Sequence, residues 1–104
     1  MNVMIYAKVH DTESGIIVAL CDSSLINEIL EEGDMTINIR DYSDFYKGSL
    51  MSADEAEKLF DMNIDSANVV GKEATDIAIK KGVIEENGIL LIGKIPYAQA
   101  YKLK

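Results

Sequence analysis

The sequence predicts an α+β fold: a single domain over residues 1–104, with a mostly antiparallel sheet of about five strands and three helices. Three observations carry this. Residues 3–9 alternate apolar and polar; a β-branched run, Ile16-Ile17-Val18-Ala19-Leu20-Cys21, follows a short polar turn; and Ser52-Ala53-Asp54-Glu55 opens a segment of helical spacing. A chain of this length buries roughly 65% of its unfolded surface, enough for one core.

Taken in order, Val3, Ile5, Ala7 and Val9 share one strand face, and Met4, Tyr6, Lys8 and His10 share the other. Residues 16–21 are apolar on both faces, which predicts an interior strand hairpinned to the first. A turn centred between Thr12 and Glu13 sets Gly15 opposite His10 and Cys21 opposite Met4. Asp22, Ser23 and Ser24 are N-cap types ahead of Leu25, Ile26, Ile29 and Leu30, predicting a first helix that Gly33 stops. Met35, Ile37 and Ile39 alternate with Thr36, Asn38 and Arg40 as a third strand. A loop over residues 41–48 holds Tyr42, Phe45 and Tyr46, and leads into a short strand at 49–51.

Ser52 and Glu55 have capping-box spacing, so each satisfies the other's backbone amide; the helix they open buries Ala56, Leu59 and Phe60 and ends near Asn63. A third helix is predicted from Ser66 to Gly82, with Ala67, Val70, Gly71, Ala74, Ile77 and Ala78 on one stripe. Ile89 to Ile92 reads as a buried strand after the Asn87-Gly88 turn. Gly93 to Pro96 breaks it, and residues 98–103 form the last strand.

Charge narrows the function classes. Eighteen acids against ten bases give a net charge of −8, which opposes double-stranded DNA and anionic membranes as partners. The excess is uneven: residues 1–65 carry −10 and residues 66–104 carry +2, so a basic face can only be local. One cysteine excludes an internal disulfide framework and suits a reducing, cytoplasmic setting. The longest apolar run, six residues from Ile16 to Cys21, is too short for a membrane helix.

No catalytic residue is expected. Cys21 and His10, the sole cysteine and histidine, stand far apart along the hairpin, and Cys21 reads as a buried hydrophobe and His10 as an exposed turn-edge residue. Asp61-Met62-Asn63-Ile64-Asp65 copies the start of a calcium loop, but Ser66 stands where its glycine belongs and Lys72 where its glutamate belongs. No metal is expected, and without phosphate-loop or dinucleotide motifs no cofactor is either. Aromatic and basic residues interleave at Phe45-Tyr46-Lys47-Gly48, at Lys94-Ile95-Pro96-Tyr97 and at Tyr101-Lys102, a pattern suited to stacking bases of single-stranded RNA while lysines meet phosphate.

Phe45-Tyr46-Lys47-Gly48, then Ala67-Asn68-Val69-Val70-Gly71, then Ile92-Gly93-Lys94-Ile95-Pro96-Tyr97-Ala98-Gln99, set after a hairpin ending Cys21-Asp22, resemble domain-of-unknown-function family 424, a family of small archaeal proteins. The resemblance spans essentially the whole chain. Members often carry histidine where this chain has Tyr97. Gene neighbourhood in the family implies a role around RNA or the ribosome. By position it marks Tyr46, Lys47, Gly48, Asn68, Gly71, Pro96, Tyr97 and Gln99.

The leading expectation is therefore a non-catalytic binding module for RNA or a translation-associated protein. Its binding residues would be Tyr46, Lys47, Asn68, Lys94, Tyr97 and Gln99, with Gly48, Gly71 and Pro96 structural. The alternative is a small enzyme or small-molecule binder with a polar pocket around Asn68, Tyr97 and Gln99. A third reading is a homodimer formed through an exposed sheet edge. A deep apolar pocket beside Asn68 and Gln99 favours the second, a flat lysine-bordered surface the first, and a closed two-fold interface the third.

Overall fold

The opening alternation folds as expected into strand β1 (Met4–Thr12), hairpinned to β2 (Gly15–Asp22), in a computed structural model that describes residues 4–101. Val3 and the residues beyond Tyr101 lie outside the described residues. The register differs by two from expectation: Cys21 pairs with Tyr6, His10 with Ile17 and Gly15 with Thr12. Side chains at the turn set it. The Thr12 hydroxyl donates to the Gly15 carbonyl at 2.8 Å, and the Asp65 carboxylate accepts from the Ile16 amide at 2.6 Å. A slip of two preserves the faces, and His10 still lies four residues, roughly 13 Å, along the sheet from Cys21's level.

The first predicted helix is absent. A single helical turn at Ser23–Leu25 leads to a hairpin of β3 (Ile29–Glu32) and β4 (Met35–Asn38). Gly33, at φ 60°, serves the two-residue turn of that hairpin, because left-handed backbone at this position matches the twist of paired strands. The loop expected at 41–48 contains a short helix, α1 (Ser43–Tyr46), before β5 (Ser49–Ser52). The capping box forms as predicted: Ser52 and Glu55 bond reciprocally at the start of α2 (Ala53–Lys58), which tightens into a further turn at Leu59–Asp61.

The third helix begins six residues later than predicted. Ser66–Val70 is strand β6, and α3 is Lys72–Lys80. Gly71 is therefore not on a helical stripe. It breaks strand from helix at φ 107°, where a Cβ would sit 2.2 Å from Asp22 Cγ. The Asp22 carboxylate, on the neighbouring strand β2, caps α3 by accepting from the Glu73 and Ala74 amides at 3.1 and 2.8 Å. Leu90–Ile92 is β7 and Ile95–Tyr101 is β8, which starts earlier than expected. Leu90 and Leu91 are exposed, against the buried strand predicted: β7 is the edge of the sheet, and of its three residues only Ile92 is buried.

The main sheet runs β5-β1-β2-β6-β8-β7, with β2 and β6 parallel and its other pairs antiparallel; β3 and β4 make a separate two-stranded sheet. The fold is α+β and mostly antiparallel. One sheet face, including Ile5, Val18, Leu20, Ala67, Val69 and Ala98, closes against Phe60, Ala74, Ile77 and Ala78 of the helical layer. The other face, Ala19, Cys21, Val70 and Ile92, packs beneath Ile26, Leu30, Ile39 and Tyr46. Small residues at Ala67, Ala74, Ala78 and Ala98 allow the close helix–sheet approach that the predicted stripe anticipated.

Candidate functional site

Helix α1 is held against β1 through its own carbonyls. Lys8 Nζ donates to the Asp44 carbonyl at 2.6 Å, and His10 Nε2 donates to the Phe45 carbonyl at 2.8 Å. The imidazole also stacks on Phe45, with centroids 4.6 Å apart and planes at 17°. His10 is thus half-buried and occupied, not simply exposed as expected. Gly48 permits this closeness: a Cβ there would lie 2.3 Å from the Ala7 carbonyl oxygen. On the preceding turn, the Asp41 amide donates to Asn38 Oδ1 at 2.9 Å, and Asn38 Nδ2 donates to the Asp41 carboxylate at 2.8 Å.

So anchored, α1 points Tyr46 at the sheet. The ring is buried, and its hydroxyl donates to Asn68 Oδ1 at 2.6 Å. Register does the rest. Asn68 pairs with Gln99 and Val70 with Tyr97, so the side chains of Asn68, Tyr97 and Gln99 share one patch of the sheet face. Between this patch and the β4–α1 segment lies an open cleft of about 340 Å³. Thr36, Ile37 and Asn38 form one wall, Tyr42, Phe45 and Tyr46 another, and Asn68, Tyr97 and Gln99 the floor. Phe45 and Tyr46 meet edge to face at 5.0 Å.

Among the described residues, no ionised side chain lines this cleft. Burial pushes the Tyr46 phenol well above its ordinary range, with Tyr97 and Cys21 nearby adding to the shift. Burial also raises Tyr97, opposed by the neighbouring Asn68 side chain. Both phenols are neutral hydrogen-bonding groups at physiological pH. Cys21, beneath the same roof, is fully buried, and burial with the Asp22 charge pushes its thiol up to about 12. It is no nucleophile in this state.

Four of the six expected binding residues come together: Tyr46, Asn68, Tyr97 and Gln99. The two lysines do not join them. Lys47 is exposed with Nζ 5.9 Å above the Tyr6 ring, a cation–π distance. Lys94 occupies the two-residue turn between β7 and β8, at φ 70°, away from the cleft lining. Of the expected structural residues, Gly48 and Gly71 mark close approaches, and the Pro96 carbonyl accepts from the Gly71 amide at 2.8 Å. The wall from β4 went unforeseen. Its signal, the alternation of Thr36 and Asn38 with Ile37, is visible, but the segment's place over the sheet is not. Among the described residues, no cluster of three or more His, Cys, Asp or Glu side chains could hold a metal ion, and no helix is long and apolar enough to cross a membrane.

A family model described as "Protein of unknown function (DUF424)" matches residues 9–103. The crystal structure of an uncharacterized conserved protein from Methanopyrus kandleri is similar to this fold, with TM-score 0.79 and 26% sequence identity over 96% of this chain and 92% of that one. No curated protein matches the chain.

Proposed function

The chain belongs to the DUF424 family, and we propose that it is a non-catalytic binding module whose cleft takes a base of single-stranded RNA. One observation carries this reading: the cleft combines an aromatic wall with amides and phenols, and among the described residues no carboxylate, imidazole or lysine lines it. Aromatic faces stack bases, and amides read base edges. Proton transfer at neutral pH needs a group of different acidity. Cytoplasmic location and a partner within the translation machinery belong to the same reading; its support there is the sequence resemblance and the single buried cysteine.

Phosphate attraction contributes little to it. The chain carries −8 overall, and Lys47 and Lys94 flank the cleft at a distance rather than lining it. With two or three lysines engaged, log affinity should fall against log salt with a slope of roughly −1.5 to −2. Base stacking, at about 1–3 kcal/mol per base, then matters as much as charge. The test is a salt titration of a short unstructured RNA against wild type, Tyr97→Ala and Lys47→Ala. Loss with Tyr97→Ala and a shallow slope are expected. No binding even at low salt overturns the RNA reading.

A second reading draws on the polar, lysine-free lining among the described residues: a free, uncharged small molecule in the same cleft. Its volume of about 340 Å³ suits a ligand near the size of one nucleoside. Binding of a nucleoside without any gain from an attached RNA strand would favour this second reading.

A further inference from the structure

Which base the cleft prefers follows from its own hydrogen bonds, given the base-binding reading above. Internal contacts occupy each of its carboxamide oxygens once. Asn68 Oδ1 receives the Tyr46 hydroxyl, Gln99 Oε1 receives the Tyr101 hydroxyl, and Asn38 Oδ1 receives the Asp41 amide. Asn38 also spends its amine on the Asp41 carboxylate. Donors are in surplus on the floor, where the amines of Asn68 and Gln99 each carry two N–H groups. The hydroxyls of Thr36, Tyr42 and Tyr97 can take either role, and that of Tyr46 can still accept. No buried side-chain nitrogen or oxygen among the described residues lacks a partner, so these surplus donors face the solvent of the cleft.

A floor of donors calls for a ligand edge of acceptors. Anions accept well, but the described residues of the lining include no cation and the chain's net charge of −8 repels them. The remaining class is a flat, uncharged ring bearing carbonyl oxygens. Among the RNA bases, uracil fits best: its two carbonyl oxygens flank a single N–H and it carries no exocyclic amine. Adenine presents an amine that would meet donors. We infer that the cleft is selective for uracil, held against the aromatic wall with its carbonyls toward Tyr97, Asn68 and Gln99.

The ring can come from a free nucleoside or from a strand, so the experiment measures uridine, adenosine, oligouridine and oligoadenosine by calorimetry. Wild type should favour the uracil member of each pair by about tenfold, the size of one or two neutral hydrogen bonds made against one left unmade. Oligouridine binding above uridine identifies the strand as the source. Gln99→Glu keeps the acceptor that Tyr101 uses and removes both donors, and Tyr97→Phe removes the phenol. Each should shrink the preference severalfold while the oligomers still bind. A preference that persists unchanged in both variants reflects the easier unstacking of oligouridine and overturns donor selection. Equal affinity for the two bases overturns the inference but leaves RNA binding standing. No binding of any of the four overturns both.

Discussion

The two faces of the main sheet are built from opposite materials. Under the helical layer, the buried side chains from Ile5 across to Ala98 form a closed apolar cluster. Under the β3–β4 hairpin and α1, the roof covers Ala19, Cys21, Val70 and Ile92, but stops short over Asn68, Tyr97 and Gln99. A face meant only for stability has no need of a carboxamide bonded to a buried tyrosine, since burying polar groups contributes less than apolar packing of equal volume. The first face holds the molecule together; the second spends polar groups on a cleft.

The largest effect should therefore come from the closed face. Leu20 is fully buried there, and Leu20→Ala should cost about 2–5 kcal/mol in denaturant unfolding. If the loss is instead no larger than that at Gln99, the contrast between the faces fails. Next comes the junction. Asp22→Ala strips the cap from α3 and leaves the Glu73 and Ala74 amides without acceptors, for about 1–3 kcal/mol; hydrogen exchange should quicken first at those amides.

On the open face, Tyr46→Phe removes only the hydroxyl that meets Asn68 Oδ1, and a fall of about 1 kcal/mol is expected. That carboxamide, released, should become more mobile by side-chain NMR. Alkaline pH probes the same pair. The Tyr46 and Tyr97 phenols ionise above the ordinary value of 10 in the folded protein. Their contribution is complete below 10, where folded and unfolded chains both hold the protons. As pH rises past 10 the unfolded chain ionises first, so stability falls until the folded phenols ionise too. Tm measured across this range should drop less steeply in Tyr46→Phe. Smallest of all, Gln99→Ala should alter stability by under about 0.5 kcal/mol, because the side chain is exposed, yet weaken RNA binding.

Local signals were readable in the sequence and distant ones were not. The Ser52–Glu55 box and the first hairpin depend on neighbours within a few residues, and both appear. The start of α3 depends on Asp22, fifty-two residues before the Ala74 amide it caps, and no local pattern announces that. Without it, Ser66 to Val70 shares small apolar residues with the helix that follows and reads as its first turns. Gly71 was the available clue, since glycine inside a helix costs about 1 kcal/mol relative to alanine. The cleft divides the same way. Its polar floor stands out as polar residues beside apolar runs, whereas the β4 wall, itself legible as a strand, is placed by a hairpin whose first strand reads as helix, Gly33 serving turn and cap alike.

The central claim, that ligand binds on the open face, is tested most directly by titrating isotope-labelled protein with oligouridine and following the side-chain amide resonances of Asn68 and Gln99. Both should shift progressively and saturate together, along with backbone amides of α1 and β8, while those of α2 and α3 stay in place. Shifts centred on α2 and α3, with Asn68 and Gln99 unmoved, would contradict the account.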